Sequence, residues 1–324
     1  MASGKFKKIG ILTSGGDAPG MNAAIRSLVR TGIKHGFEMY GIQRGYKGLL
    51  EGEITKMETR DVSEIIQCGG TILKTARSSE FMKPEGQKKA IGMLGAYGLD
   101  ALVVIGGDGS FRGALDLAKQ GVPVIGIPAT IDNDVASSDY SLGYDTAMNT
   151  ALEAIDKIRD TSSSHERCSV IEVMGRNAGY IALNVGIACG AEVILIPEVP
   201  FSLEQDVYKV ILEGRNIGKH HYIVVVAEGV GDAVELSKEI EAFTKIETRP
   251  TVLGYVQRGG SPTVRDRLTG SIMGIHAIDV LSKGKAGRLI VEQGGVIKDI
   301  DIEKGLAMSK RLTAEDLEKS TNLF

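Results

Sequence analysis

The sequence of 324 residues contains no tryptophan, only 8 prolines and only 3 cysteines. The cysteines, Cys68, Cys168 and Cys189, lie far apart along the chain, so they provide neither a disulfide framework nor the spacing of a metal site. A reducing cytoplasm is the simplest interpretation of so sparse a set. The scarcity of proline, without a three-residue glycine period, also excludes a collagen-like protein.

A marked excess of one charge and long hydrophobic runs are absent as well. The 38 basic and 41 acidic residues give a net charge of −3, which excludes a generally basic nucleic-acid-binding protein but not a local basic pocket. The apolar run after the basic N-terminus covers only residues 9–12, which is too short for the core of a secretory signal. No stretch approaches the length that crosses a bilayer. We therefore expect a cytoplasmic protein that binds neither nucleic acid nor membranes.

Glycine, in contrast, is abundant, with 42 residues or about twice the usual share. Short runs rich in Val and Ile predict strands that are buried on both faces, as in a parallel sheet. Apolar residues recur with helical spacing over 145–159 and 265–281. This alternation predicts a doubly wound α/β fold, and the length predicts about two domains. The predicted strands cover 9–12, 101–105, 122–127, 170–173, 193–196 and 222–227.

Two glycine-rich turns follow predicted strands and open predicted helices. They read TSGGDAPGMN (13–22) and GGDGS (106–110). Such a turn lets the backbone approach a phosphate, and the helix that follows directs N–H groups and a positive dipole end toward it. Asp108 in the second turn could hold Mg²⁺ beside a polyphosphate. The alternatives are ordinary tight turns and a helix-capping role for Asp108, since neither turn matches the Walker or GxGxxG pattern.

A third segment, PATIDND (128–134), places two carboxylates just after a predicted strand. One of them could take the proton from a hydroxyl nucleophile while the other organises metal or water. The alternative is an Asx turn, which Asp and Asn form readily. Together with the two glycine turns, this segment favours phosphoryl transfer to a hydroxyl group.

Five arginines lie in polar or glycine-containing loops instead of on amphipathic helix faces. A guanidinium group binds phosphate at two points, although any single arginine is more often a solvated surface charge. In a protein of net charge −3, the set indicates anionic substrates. The five are Arg77, Arg167, Arg176, Arg249 and Arg258.

These segments, with DTSSSHER (160–167), VMGR (173–176) and QRGGSP (257–262), resemble bacterial ATP-dependent 6-phosphofructokinases in order and spacing. The resemblance extends from about Lys7 to the last helix. It implies two Rossmann-like domains with mainly parallel sheets and an active site in the cleft between them. The larger, ATP-binding domain would comprise residues 1–142 and 255–307, and the smaller, sugar-phosphate-binding domain 143–254 and 308–324.

The resemblance also implies the reaction and the residues that perform it. ATP would phosphorylate the C1 hydroxyl of fructose 6-phosphate in the committed step of glycolysis, with Asp132 as general base and Asp108 as the Mg²⁺ ligand. Residues implied around ATP are Gly16, Tyr46, Arg77, Ser78, Gly107, Asp108, Gly109 and Ser110. Those implied near the transferring phosphoryl group are Thr130, Asp134 and Arg176, and those near the sugar are Thr130, Ile131, Asp132, Met174, Gly175, Arg176, Glu228, Val256 and Gln257.

The sugar's 6-phosphate would be held by Arg167, Arg249 and Arg258. In the family the first two reach in from a neighbouring subunit, which implies a homotetramer. Tyr255 stands where the family usually has histidine beside this phosphate. Because tyrosine cannot carry a positive charge, we expect fructose 6-phosphate to bind more weakly by about 1 kcal/mol.

The donor is indicated by two positions. Pyrophosphate-using relatives typically have an acidic residue at the position of Gly109 and a lysine at that of Ala129, and this sequence has neither. We therefore expect ATP, although Ala129 replaces the glycine that is usual in ATP-using members. A pyrophosphate-dependent enzyme, a non-catalytic regulatory paralogue and a kinase that also accepts tagatose 6-phosphate are the alternatives.

An effector site for ADP or phosphoenolpyruvate is the last feature that the resemblance implies. Arg60 stands where some relatives have tyrosine, and Ile217 replaces a basic residue. The alternative is a basic surface without a regulatory ligand. The residues that match the effector site are Arg26, Arg30, Arg60, Arg159, Glu192, Lys219 and His221.

Overall fold

The computed structural model describes residues 6–321, with the backbone alone for 319–321. The outer ends of the two predicted domains, residues 1–5 and 322–324, lie outside the described residues. The strands are β1 (Lys8–Thr13), β2 (Glu38–Ile42), β3 (Ile54–Met57), β4 (Ala101–Gly106), β5 (Val124–Pro128), β6 (Cys168–Val173), β7 (Val193–Leu195), β8 (Tyr222–Ala227), β9 (Thr248–Val252), β10 (Arg288–Gln293) and β11 (Val296–Asp301).

Helices connect most of these strands. They are α1 (Met21–Lys34), α2 (Gly45–Glu51), α3 (Pro84–Tyr97), α4 (Asp108–Lys119), α5 (Tyr144–His165), α6 (Tyr180–Cys189), α7 (Lys209–Asn216), α8 (Ala233–Thr244), α9 (Val264–Ser282), α10 (Ile302–Leu306) and α11 (Ala314–Thr321). A π-helical turn (Leu203–Tyr208) precedes α7, and a 3₁₀ turn (Gly254–Arg258) follows β9. Within residues 6–321, no helix is both long and apolar enough to cross a membrane.

The predicted mixed α/β fold with mainly parallel sheets is confirmed. All six predicted strands and both predicted helices are present, with small shifts at their ends. The chain divides by its contacts into unit 1 (Met1–Thr146 and Arg258–Lys310) and unit 2 (Ala147–Gln257 and Arg311–Phe324). The predicted domain boundaries fall within a few residues of these divisions. Which domain binds ATP and which binds the sugar phosphate stays a prediction.

Unit 1 is built on a sheet of seven strands among the residues described, in the order β11-β10-β5-β4-β1-β2-β3. The pairs β5–β4, β4–β1 and β1–β2 are parallel, whereas β3 and β11 join antiparallel at the two edges. Its core packs Leu12, Leu102 and Val104 of the central strands against Phe111 and Leu117 of α4. The strand order reverses direction between β1 and β4, which is where ligands bind in open α/β sheets.

Unit 2 carries a smaller, parallel sheet in the order β7-β8-β6-β9. Its core joins Val170, Val224 and Val226 of the strands to Ile211 of α7 and Ile240 of α8. Strand β9 forms one edge of this sheet and pairs with β6 in parallel, with Arg249 opposite Ser169. The carboxyl ends of β6 and β8 therefore lie side by side and carry the residues that follow Val173 and Ala227.

Candidate active site

Three loops of unit 1 meet at the carboxyl ends of β1, β4 and β5. The Ser14 amide donates to the Ile105 carbonyl and the Ala129 amide to the Gly106 carbonyl, each at 2.9 Å. A Cβ on Gly106 would collide with the Ser14 carbonyl and lie 2.7 Å from Ser110 Oγ, so only glycine permits this approach. The two glycine turns and the PATIDND segment are thus brought together as one site.

The N-terminus of α4 opens this site. Gly107 is the N-cap residue and supplies no side-chain cap, while Asp108 lies within the first turn. The alternative of Asp108 as the helix cap is therefore wrong. A Cβ on the exposed Gly109 would meet nothing within 4 Å, so the space in front of the helix is open. Free N–H groups at an open helix N-terminus suit a phosphate.

Asp108 and Asp134 are close enough to influence one another. Burial raises the pKa of the Asp108 carboxyl, and the negative charge of Asp134 raises that pKa further, against a smaller lowering by Arg112. Asp132 lies on the same loop as Asp134 and is only 3% exposed, and its amide donates to Thr130 Oγ1 at 3.2 Å. Two mutually repelling carboxylates are a pair that a divalent cation would stabilise.

The loop that holds these carboxylates takes its shape from Asn133. This residue adopts a left-handed conformation with φ of 50°. Its Nδ2 donates to the Asp139 carbonyl at 3.1 Å, and its Oδ1 accepts from the Ser141 amide at 2.9 Å. The Asx-turn alternative thus named a residue type that does shape this loop. The Asn133 side chain, however, bonds across the loop instead of closing a local turn.

Tyr46, one of the residues implied around ATP, contacts the second glycine turn. Tyr46 is buried, donates its hydroxyl to the Ser110 carbonyl at 2.7 Å, and stacks on Phe81 with ring centroids 3.9 Å apart. Ser78 Oγ accepts from the Phe81 amide at 3.2 Å, whereas Arg77 is exposed. Sequence reasoning missed Phe81, for which the one available signal was an aromatic residue in an otherwise polar segment.

Arg258 belongs to unit 1 and lies at the first glycine turn. A Cβ on Gly16 would be 3.5 Å from Arg258 Nη1. The structure therefore places an arginine implied for the sugar phosphate beside a glycine implied for ATP. Tyr255 and Val256, three and two residues earlier, are 77% and 60% exposed, while Gln257 is fully buried.

In unit 2, the turn after β6 is held by two buried or half-buried side chains. Glu228 Oε1 accepts from the amides of Gly175 and Arg176 at 3.1 and 2.6 Å. Gln257 Oε1 accepts from the Met174 amide at 3.3 Å. Glu228 and Gln257, both implied as sugar contacts, therefore fix the conformation of the turn that carries Met174 and Arg176.

Arg167 and Arg249, the implied 6-phosphate ligands, are brought together by a third residue. Arg167 Nε lies 2.8 Å from Glu247 Oε2 as an ion pair, and Arg249 pairs with the same carboxylate. The Arg167 guanidinium, followed by that of Arg249, holds the pKa of Glu247 below its usual range. Sequence reasoning did not single out Glu247, because its role depends on the β6–β9 pairing.

The residues implied for an effector fall in both units. In unit 2, Arg159 donates to the Cys189 carbonyl, and Glu192 accepts from Lys219 Nζ and from the Ile223 amide. His221 is half-buried, and Ile217 is 87% exposed. In unit 1, Arg26 lies on α1 and is half-buried, and Arg30 and Arg60 are exposed. The structure thus joins Glu192 to Lys219, while Arg159 bonds to the Cys189 carbonyl, and an effector site stays a prediction.

No group of three or more His, Cys, Asp or Glu side chains arranged to hold a metal occurs in the part of the chain that the structure describes. The oxygen donors that fit Mg²⁺ are the carboxylates of Asp108 and Asp134. Kinase sites commonly bind Mg²⁺ through one or two carboxylates together with the phosphates of the substrate. The pair therefore fits a cation that arrives with a nucleotide.

Comparison with known proteins agrees with this geometry. A family model described as phosphofructokinase matches residues 8–281. ATP-dependent 6-phosphofructokinase 1 of Clostridium perfringens is 56% identical over 305 residues, which cover 94% of this chain and 95% of the relative. ATP-dependent 6-phosphofructokinase of Clostridium botulinum is 55% identical over 310 residues, or 96% and 97% of the two chains. The crystal structure of Pichia pastoris phosphofructokinase in the T-state has a TM-score of 0.88 and 34% identity, covering 98% of this chain and 37% of that one. The chain belongs to the phosphofructokinase family.

Proposed function

We propose that this protein transfers the terminal phosphoryl group of ATP to the C1 hydroxyl of fructose 6-phosphate, giving fructose 1,6-bisphosphate and ADP. The observation that carries the proposal is the junction of the β1, β4 and β5 loops, where an open helix N-terminus meets the Asp108–Asp134 pair. The names of the two Clostridium relatives support the donor and the sugar. As the committed step of glycolysis, the reaction would take place in the cytoplasm.

Unit 1 would bind the nucleotide. The N–H group of Gly109 at the start of α4 would face the phosphates beside the Ser110 side chain, and the turn at Gly16 would allow the backbone to approach them. Tyr46, which stacks on Phe81, would form an apolar wall of the site, and Gly107, Arg77 and Ser78 would contribute further contacts to the nucleotide. Mg²⁺ held by Asp108, when bound, would neutralise charge on the phosphate oxygens.

Asp132 would accept the proton of the C1 hydroxyl. Its carboxylate is nearly fully buried, and the adjacent Thr130 fixes its backbone. In a phosphoryl transfer the protein chiefly positions the reactants and stabilises charge, so the arrangement needs one base and several charged neighbours. Arg176 would supply positive charge, Asp134 would act through a bound cation, and Thr130 would offer a neutral hydroxyl, with Ile131 shaping the loop.

Unit 2 would bind the sugar phosphate. The turn fixed by Glu228 and Gln257 presents Met174 and Arg176, while Arg167 and Arg249 would hold the 6-phosphate of a neighbouring subunit's substrate in a homotetramer. The edge position of β9 and the 62% exposure of the Arg249 side chain support this sharing. Arg258 and Tyr255 would complete the phosphate site, and the effector site around Glu192 stays a proposal.

The preference for ATP is supported by the open space at Gly109. An acidic side chain at this position would project into the region where the phosphates and the rest of the nucleotide must pass. Ala129, the other donor-specific position, is buried, so its methyl group is accommodated within the fold. Both positions therefore support a donor larger than pyrophosphate.

The test is product formation by the purified protein with Mg²⁺ and fructose 6-phosphate, with ATP and pyrophosphate offered separately. We expect turnover with ATP alone, and a loss of about 10²-fold or more in Asp132→Asn, which removes the base. Asp116→Asn changes an exposed carboxylate of α4 and should keep full activity. Turnover with pyrophosphate alone would reassign the donor. No turnover with either donor at saturating sugar would overturn the proposal and leave a binding role for the intact acids and arginines.

A further inference from the structure

Lys310 lies at the end of unit 1 and reaches back to the loop that carries the two aspartates. Its Nζ lies 3.0 Å from the Asn133 carbonyl, 3.1 Å from the Ser138 carbonyl and 3.4 Å from the Asp139 carbonyl. More than 170 residues separate it in sequence from each acceptor. An ammonium group has three N–H donors and no acceptor, so three carbonyls satisfy it fully.

The ammonium group is half-buried, and this placement has a cost. Burial lowers the pKa of Lys310, and the negative charges of Asp139 and Asp134 partly offset that effect. A hydrogen bond from an ionised donor is about twice as strong as one between neutral groups. A shorter polar side chain would avoid this desolvation cost. The presence of a charged side chain therefore indicates that the hydrogen bonds to these three carbonyls are important to the protein.

The three carbonyls that Lys310 binds lie in two parts of the loop, at Asn133 and at Ser138 and Asp139. The far half of the loop is fixed to β10, since Ser138 Oγ accepts from the Glu292 amide at 3.0 Å and the Asp139 amide donates to the Glu292 carbonyl at 2.8 Å. Asn133 stands between Asp132 and Asp134 and has a left-handed backbone. Its side chain already bonds to the Asp139 carbonyl and to the Ser141 amide, and Lys310 adds the bond that ties the Asn133 carbonyl to the anchored half of the loop.

We propose that Lys310 is a positioning residue for catalysis, which holds the backbone at Asn133 so that the carboxylates of Asp132 and Asp134 keep their directions. This inference rests on the proposed function. The peptide that Lys310 binds is bonded directly to Asp134 and follows Asp132 by one residue. A change in its orientation would therefore turn both carboxylates, and a misplacement of about 1 Å can cost roughly 10²-fold in rate.

The test compares three variants of the full-length protein. Lys310→Met keeps the length of the side chain without its donors, and Lys310→Arg keeps the charge with a planar fork that does not match three converging carbonyls. Lys304→Met, at an exposed position of α10, is the matched control. For each, kcat and both KM values are measured, ATP binding is titrated by calorimetry to count folded sites, and amide hydrogen exchange is followed over residues 130–141.

We expect Lys310→Met to lose about 10- to 100-fold in kcat per ATP-binding site, with both KM values little changed and faster exchange over 130–141. Lys310→Arg should lie between it and the unsubstituted protein, and Lys304→Met should match the latter. Unchanged kcat in Lys310→Met, or a lower kcat without faster exchange, would overturn the inference. If Lys310→Met fails to fold, unchanged kcat in Lys310→Arg would overturn it. An unsubstituted protein without turnover would overturn the proposed function, and this inference with it.

Discussion

Asp108 shows how a single residue can serve the reaction at the expense of the fold. Its carboxyl is partly buried next to Asp134, so its pKa is raised in the folded protein. A raised carboxyl pKa means that the folded state is favoured when the group is protonated, and that this contribution is lost as the pH rises through the folded pKa. At neutral pH the charge of Asp108 therefore opposes folding, while the proposed Mg²⁺ site requires that charge.

We predict that Asp108→Asn is more stable and less active than the unsubstituted protein. Without Mg²⁺ or nucleotide at pH 7–8, its Tm should be higher by roughly 1–3 °C, because the cost of burying the charge and the repulsion of Asp134 are both removed. The difference should shrink as the pH falls toward the ordinary range of aspartate, about 4, because Asp108 takes up a proton as the pH falls. Calorimetric scans across this range measure it, and turnover with ATP should fall about 10²-fold or more.

The exposed Asp116→Asn variant is the control for both measurements, and it should change neither Tm nor turnover. A lower Tm for Asp108→Asn at neutral pH, or a Tm difference that grows as the pH falls, would contradict the prediction.

At the same scale, the sequence indicated the residues whose chemistry can be read from their neighbours along the chain. Asp108 and Asp132 lie in the segments that follow buried strands, so their place at the carboxyl ends of the strands was predictable. Glu247 and Lys310 were not, because an acid between two arginines and a lysine near the end of the chain acquire partners only through the β6–β9 register and the return of the chain to unit 1. Phe81 gains its role only by stacking on Tyr46.

Among the elements, helices α1 and α9 pack closely through small residues. A Cβ on Gly274 would collide with Ser27 Oγ and lie 2.9 Å from the Ala24 carbonyl, and Ser27 Oγ already donates to the Ala24 carbonyl at 3.0 Å. Since Gly274 lies in the middle of α9, its glycine is unfavourable for the helix itself. Close packing against α1 explains why it is nevertheless present.

We predict opposite effects for the same substitution in two helices. Gly274→Ala should destabilise unit 1 by about 1–3 kcal/mol, because the methyl group forces α1 and α9 apart. Gly92→Ala in α3, where a Cβ meets nothing within 4 Å, should stabilise it by up to about 1 kcal/mol. Urea unfolding followed by circular dichroism measures both. A stabilising Gly274→Ala would show that the two helices can move apart without loss.

The strands that were predicted share one property, which is nearly uniform burial. Every residue of β4 and β8 is buried, so their sequences are continuous apolar runs. Strands β9 and β11 expose many of their residues and lie at sheet edges, and their sequences TRPTV and VIKDID show no such run. Helix α5 extends to His165 beyond its predicted end, since its last turn is polar and mostly exposed and carries no apolar stripe.

For the whole molecule, assembly is the property on which the proposed sugar-phosphate site depends. Arg167 and Arg249 gather around Glu247 at the edge strand of unit 2, with Arg249 largely exposed. Helix α9 of unit 1 leaves Val264 and Leu268 exposed by 81% and 58%, which is typical of a surface covered in an oligomer. Covering these residues of α9 and sharing the proposed phosphate site both require contacts with another subunit.

We predict that two variants, each defective in a different half of the site, restore activity when their subunits mix. Asp132→Asn lacks the base and Arg249→Ala lacks a phosphate ligand. If each site combines Asp132 of one subunit with Arg249 of another, random mixing leaves about a quarter of the sites intact, by the symmetry of a homo-oligomer. Turnover at low fructose 6-phosphate, after joint refolding, should therefore exceed that of either variant several-fold. Mixing Arg249→Ala with a chain that carries both substitutions should restore nothing, since no subunit then supplies Arg249. Mixed oligomers of confirmed mass that remain as inactive as their parents would show that each site is built from one chain.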